Sequence, residues 1–212
     1  MGARVVRAGR RMIRLALAAS LIIGLAGCPA RRSPCAPSLP AKLEIRDASG
    51  ALELALKDSA TQGTPRVYDL CDPAHHRVGS VSTEEDRVVV LDAAGGLRLR
   101  VHHDHGLDPV AWGPSGQRLR VHEDKNEWRV LKPDGVPLGA IAPAGDGATV
   151  FDPAGSLAAT VKPRGADQVL AGPDGAVTRY VMPAASPVAA GVFALRGLAL
   201  DEALGLFLLF PR

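Results

Sequence analysis

The chain has 212 residues, of which 47% are hydrophobic, 4% aromatic and 22% charged. Of its 25 basic and 22 acidic residues, five arginines fall within the first 14 positions, where there is no acid. The remainder has 20 basic and 22 acidic residues, a net charge near −2. Because nucleic-acid binding needs a basic patch on the folded domain, we expect no nucleic-acid partner.

Residues 1–27 have the features of a secretory signal. Arginines without acids precede an apolar stretch at positions 15–25. This stretch is shorter than the roughly 20 residues that a membrane-spanning helix needs, and its length is typical of a signal peptide.

The apolar stretch ends in Leu25-Ala26-Gly27-Cys28. This run resembles the lipobox of bacterial lipoproteins. The resemblance implies cleavage before Cys28, a diacylglyceryl group on its sulfur and an acyl chain such as palmitate on the new amino terminus, which together anchor stably. Pro29 replaces the aspartate that retains such proteins at the inner membrane, which implies the outer membrane in an organism that has one. The alternatives are an ordinary signal peptide or an uncleaved anchor with an incidental cysteine.

Residues 28–41 form a Pro-rich segment without periodicity, which predicts a semi-rigid tether between lipid and domain. It contains Cys35, and Cys71 is the only other cysteine besides Cys28. In an exported protein we expect Cys35 and Cys71 to form a disulfide. Closing a loop of 36 residues would stabilise the fold by roughly 4 kcal/mol. Two unpaired thiols are the alternative.

A turn that recurs about every twenty residues organises positions 42–185. The last five turns place glycines at positions 95, 116, 135, 155 and 175, in steps of 21, 19, 20 and 20. Pro often stands second and Gly fourth, which is typical of type I turns. The turns are Asp47-Ala48-Ser49-Gly50, Asp92-Ala93-Ala94-Gly95, Gly113-Pro114-Ser115-Gly116, Lys132-Pro133-Asp134-Gly135, Asp152-Pro153-Ala154-Gly155 and Gly172-Pro173-Asp174-Gly175, with a degenerate copy at Asp72-Pro73-Ala74-His75.

The runs that flank each turn alternate apolar and polar residues, as in the Leu-Arg-Leu-Arg-Val run at 97–101. A period of two predicts strands with one buried face, so each unit is a β-hairpin and the units form an antiparallel meander. The predicted fold is mainly β, an open or spiral sheet, with a propeller-like arrangement as the alternative. Residues 87–181 also resemble the Tyr-Asp repeats of RHS-type bacterial surface proteins. The residues just before the turns, where that family has tyrosine, are Leu91, Trp112, Leu131, Phe151 and Ala171.

Residues 186–212 differ from the repeats because positions 198–210 are apolar nearly all round. Asp201 and Glu202 suit the first turn of a short helix, whereas Gly205 disfavours a helix and leaves a closing strand pair as the alternative. In either form we expect this segment to be buried and to cover the open edge of the sheet. The other possibility is a surface for a partner or the membrane.

Histidines cluster at one predicted strand end. His102, His103 and His105 lie close together with Asp104, and His122 holds the matching place one unit later. Imidazole and carboxylate groups suit Zn²⁺ or another transition ion. Equivalent strands of consecutive hairpins lie roughly 9–10 Å apart, however, so a polar strand end that repeats with the unit is the alternative.

Arg98, Arg100, Arg118 and Arg120 alternate with leucine and valine and mark the solvent face of two strands. This set, here called the Arg ladder, is a candidate site for an anionic polymer such as lipopolysaccharide or another polysaccharide. A surface of ordinary salt bridges is the alternative.

The sequence contains no Gly-x-Ser-x-Gly, Gly-rich phosphate loop or His-Glu-x-x-His motif. We therefore expect no enzymatic activity and no cofactor. The sequence favours a lipid-anchored envelope protein that binds or scaffolds another envelope component, either a protein or a glycan. The alternatives are a metal- or glycan-binding module that uses the histidines or the Arg ladder, and an enzyme whose site carries no recognisable motif.

Overall fold

A computed structural model describes residues 33–35, 39–59, 65–103, 108–183 and 186–210. The chain divides into two units, Met1–Arg31 and Arg32–Arg212. All described residues belong to the second unit, so the predicted signal peptide and Cys28 lie outside them. His105 also lies outside the described residues.

The described residues form fourteen strands and two α-helices, joined by short connections. The strands are β1 (Ala41–Asp47), β2 (Leu52–Asp58), β3 (Arg66–Cys71), β4 (Arg77–Glu84), β5 (Arg87–Asp92), β6 (Leu97–His103), β7 (Pro109–Gly113), β8 (Gly116–Asp124), β9 (Glu127–Leu131), β10 (Pro137–Ala144), β11 (Gly147–Phe151), β12 (Leu157–Arg164), β13 (Asp167–Ala171) and β14 (Val177–Met182). They are followed by α1 (Pro187–Gly191), a 3-10 helix (Val192–Ala194) and α2 (Leu200–Leu209).

The predicted meander of antiparallel hairpins is confirmed, but the sheet closes into a barrel. Each strand pairs with the next along the chain, and β1 also pairs with β14, where Glu44 lies opposite Met182 and Ile45 opposite Val181. The expected open or spiral sheet is therefore wrong. The C-terminal segment cannot cover an open edge either, because every described strand has a neighbour on both sides.

The recurring turns all lie at one end of the barrel, because the strands alternate in direction. This end is here called the Asp-turn end. At the other end, tight turns join four of the strand pairs, as at Lys125 and Asn126, which both have positive φ angles. In the first Asp turn the hydroxyl of Ser49 donates to Asp47 at 2.6 Å and holds the pKa of that carboxyl below its ordinary value. Bonds of this kind explain why Asp is favoured in these turns.

A β-bulge follows each Asp turn and explains much of the curvature. In β8, for example, Leu119 lies opposite Ala111 and Gln117 lies opposite Trp112, which leaves Arg118 as the extra residue. Bulges bend the strand that carries them and are common at barrel rims. One bulge per hairpin therefore bends the sheet in the same sense at each step. The extra residues are Glu53, Val78, Arg98, Arg118, Leu138, Ala158 and Thr178, and the last six are spaced by exactly one repeat.

The C-terminal segment fills the inside of the barrel and forms a helix rather than a strand pair. Ten of the 33 buried residues of the main core come from this segment, and the rest point inward from the strands. A Cβ at Gly191 would lie 2.8 Å from Ile141 of β10, and one at Gly205 would lie 2.8 Å from Leu99 and Val101 of β6. The glycine that disfavours a helix in isolation is thus what allows α2 to approach the sheet closely.

The start of the described chain is attached to the outside of the sheet. Cys35 forms a disulfide with Cys71 at the end of β3. The N–H of Cys35 donates to the carbonyl of His75, and the N–H of Arg77 donates to the carbonyl of Ser33. Cys35 and Cys71 are both buried in a small cluster with Ala55. The C-terminal part of the predicted tether is therefore held at the Asp-turn end.

Candidate functional site

The structure divides the Arg ladder into two pairs. Arg98 and Arg118 are the extra residues of bulges in β6 and β8. Arg100 and Arg120 lie two residues further along the same strands, in regular pairing, where they alternate with buried leucine and valine. All four side chains are exposed, but the bulges separate Arg98 and Arg118 from the regular pairing that holds Arg100 and Arg120.

Arg118 makes an internal contact. Its guanidinium donates to Glu202 of α2 at 3.1 Å, and Glu202 is buried. The side chain passes Gly113, where a Cβ would lie 2.6 Å from Nε of Arg118. Arg118 thus joins the bulge in β8 to the helix inside the barrel, and we assign it a structural role.

Arg100 and Arg120 flank an exposed indole on the strand between them. Trp112 of β7 lies directly opposite Arg100 of β6, and Val110, two residues before Trp112, lies opposite Arg120 of β8. Trp112 is 41% exposed. Directly paired side chains have their Cβ atoms about 5 Å apart and diagonal ones about 7–8 Å, so all three can contact one ligand. Arg100, Trp112 and Arg120 are here called the Arg–Trp patch.

Both guanidinium groups of the patch are available. Within the ranges that the structure describes, neither Arg100 nor Arg120 forms an ion pair, whereas Arg87 of β5 pairs with Glu84 and Arg129 of β9 pairs with Glu127. The predicted alternative of ordinary salt bridges therefore applies to the flanking strands. Between these flanking strands, the patch presents two guanidinium groups and one exposed aromatic face.

Sequence reasoning identified both arginines of the patch but treated Trp112 only as the residue before a turn. The matching positions in other repeats hold Leu91, Leu131 and Phe151, which are only partly exposed. A tryptophan at a solvent-facing position, in a chain with 4% aromatic residues, was the signal that could have found it.

The histidines do not form a metal site among the described residues, where no group of three potential ligands comes together. His122 instead lies 3.1 Å from a carboxylate oxygen of Asp108. His102 is on β6 opposite Arg87, and His103 is the last residue of that strand. His105 lies outside the described residues. His102 and His122 are separated by β7, in agreement with the expected two-strand spacing.

A cleft of about 440 Å³ opens at the Asp-turn end, beside the connection between the helices. Arg179 of β14 donates to both carboxylate oxygens of Glu53, at 2.6 and 3.1 Å, and to the carbonyl of Phe193 at 2.6 Å. These bonds satisfy both charges internally. We therefore assign Arg179 and Glu53 the structural role of holding the connection between the helices against β14 and β2.

No described helix has the length and apolar character needed to cross a membrane. Comparison of the chain with models of protein families, with curated proteins and with solved structures gives no match.

Proposed function

We propose that this chain is a lipid-anchored protein of the cell envelope that binds another envelope component and catalyses no reaction. The apolar signal followed by Leu25-Ala26-Gly27-Cys28 supports export and lipidation at Cys28. Pro29 supports the outer membrane as the destination in an organism that has one. The Pro-rich residues that follow Cys28 support a tether between the lipid and the domain.

The observation that carries the binding role is the Arg–Trp patch. The C-terminal segment occupies the inside of the barrel, so a partner has the outer face and the two ends to bind to. On the outer face, Arg100, Trp112 and Arg120 combine the two residue types, Arg and Trp, that contribute most strongly to binding interfaces. A partner that contacts the patch would remove the indole from water and gain two charge-assisted hydrogen bonds.

The test is mass spectrometry of proteins and glycans that co-purify after mild cross-linking of intact envelopes. We expect a reproducible partner with the wild-type chain, a reduced yield with Trp112→Ala, and loss of both membrane attachment and partner with Cys28→Ala. Trp112→Tyr is the matched control, because it keeps an aromatic face. If the Cys28→Ala variant remained attached to the membrane through lipid, the proposed lipidation at Cys28 would be refuted. If no partner co-purified with the wild type, the binding role would be refuted.

A further inference from the structure

We propose that the Arg–Trp patch binds an anionic polysaccharide, with a sugar ring on the indole of Trp112 and acidic groups of the chain on Arg100 and Arg120. This inference rests on the proposed binding function and names the ligand class of that site. It differs from the Arg ladder of the sequence because Arg98 and Arg118, the extra residues of two bulges, are left out and Trp112 is central.

The arrangement of the patch suits a chain of rings with charges on either side. Trp112 lies on the middle strand of three, and one arginine lies on each neighbouring strand. Strands are about 4.8 Å apart, so Arg100 and Arg120 leave the sheet on opposite sides of Trp112. A planar guanidinium binds a carboxylate or a phosphate with two parallel hydrogen bonds. An aromatic face provides a rigid apolar surface at low cost in conformational entropy.

The patch carries two positive charges, whereas the domain as a whole is slightly acidic. The chain without its leader arginines has a net charge near −2. Arg87 and Arg129 on the flanking strands are neutralised by Glu84 and Glu127. The two cations of the patch have no ion-pair partner within the described part of the chain. An anionic ligand could therefore bind these two guanidinium groups without first displacing a carboxylate partner.

Two other classes of ligand fit the patch less well. Binding to nucleic acid depends on many phosphate contacts, whereas the patch provides two arginines for such contacts. Binding to a lipid surface needs a continuous apolar face. Among the described residues, the other exposed large apolar side chains are Val136 and Leu157, which lie on or next to other strands, far along the sheet from β7.

The test is a binding titration of fluorescent polygalacturonate with the full-length lipidated protein in nanodiscs of zwitterionic lipid. Wild type should bind, and unlabelled polygalacturonate should compete whereas neutral dextran should not. Trp112→Ala and the double variant Arg100→Gln/Arg120→Gln should each weaken binding about tenfold or more. Trp112→Tyr should retain most of the affinity.

The matched control is the double variant Arg87→Gln/Arg129→Gln, which removes the same charge from paired arginines on the flanking strands. It should change the affinity by no more than about twofold. If Arg87→Gln/Arg129→Gln lost as much affinity as Arg100→Gln/Arg120→Gln, the proposal would be overturned, since binding would then depend on net charge alone. Failure of the wild type to bind, or equal competition by an oligonucleotide or by anionic vesicles, would also overturn it.

The outcome separates this inference from the proposed function. If polygalacturonate does not bind but a cross-linked envelope protein is lost in Trp112→Ala, the glycan is wrong and the binding role stands. If neither the glycan nor a cross-linked partner is found, both are wrong.

Discussion

At the scale of single residues, Glu202 organises the start of α2. One of its carboxylate oxygens accepts from Arg118 at 3.1 Å, and the other accepts from the N–H of Ala199 at 3.0 Å. Ala199 is the N-cap residue, with φ −70° and ψ 154°, and its side chain offers no acceptor to the first turn. Glu202 thus provides one half of a capping box, and the other half is missing.

We expect Ala199→Thr to stabilise the fold, because its hydroxyl can accept from the N–H of Asp201 at the second helical position. The N–H of Glu202 already donates to the carboxylate of Asp201. The gain in the free energy of unfolding should be about 0.5–1 kcal/mol, measured by urea denaturation of the full-length protein. Ala199→Val has the same shape without the hydroxyl and is the control. Equal effects of the two substitutions would show that the gain does not come from capping.

The residue scale also shows why the site could be predicted only in part. Arg100 and Arg118 both alternate with leucine or valine in the sequence, and nothing local distinguishes them. The distinction comes from the bulge in β8 and from Glu202, which is 84 positions away from Arg118 in the chain. A contact of that kind is set by the fold and has no signal in a short window of sequence.

At the scale of elements, the close approach of α2 to β6 determines how large a side chain fits at position 205 of the helix. Gly205 is buried, and Leu99 and Val101 opposite it are 1% and 0% exposed. The helix forms although Gly costs about 1 kcal/mol relative to Ala, because its tertiary packing outweighs its intrinsic propensity. This explains why helix propensity alone left the segment undecided between a helix and a strand pair.

We expect Gly205→Ala to lower the free energy of unfolding by about 1 kcal/mol. The added methyl gains about 1 kcal/mol of helix propensity, but it must displace Leu99 and Val101, which typically costs 1–3 kcal/mol in a filled core. The measurement is urea denaturation followed by circular dichroism.

The control for this prediction is the combination of Gly205→Ala with Leu99→Val, which shortens the facing side chain. The double variant should be more stable than the sum of the two single effects predicts. A stabilising effect of Gly205→Ala alone would contradict the close contact between α2 and β6.

The strands themselves were predictable because their signals are local. The period-two runs and the turn glycines lie within single hairpins, and both survive in the structure. Closure of the sheet was not predictable in this way, because it depends on the sum of seven small bends and on pairing between positions 44 and 182. In the sequence, each bulge appears only as one additional residue between the turn and the first buried positions of the strand that follows it.

At the scale of the whole described unit, the disulfide attaches the first described residues to the barrel wall. Cys35 and Cys71 are 36 positions apart and enclose β1 and β2. The crosslink therefore restricts the unfolded chain in the region that contains one side of the β1–β14 pair. The backbone bonds of Ser33 and Cys35 to the second hairpin, formed by β3 and β4, strengthen the same attachment.

We expect the double variant Cys35→Ala/Cys71→Ala, with Cys28 retained, to lower the free energy of unfolding by about 2–4 kcal/mol, because the unfolded chain regains the entropy of the open loop. Thermal unfolding should shift downward in the wild type on addition of dithiothreitol. The same reductant should leave the double variant unchanged. No difference between wild type and variant would show that the crosslink does not contribute to stability.

The pairing of β1 with β14 also has a consequence for biosynthesis. The first strand finds its second neighbour only when the last strand is available, and the helices that occupy the interior come later still in the chain. A nascent chain that lacks its last strand and helices therefore has a sheet with two unpaired edge strands and no residues to fill its interior. Long-range pairings of this kind form slowly, and exposed strand borders attract other chains. Cells would thus have to hold the protein unfolded until its final residues arrive, and premature termination even shortly before the C-terminus would yield a species prone to aggregation.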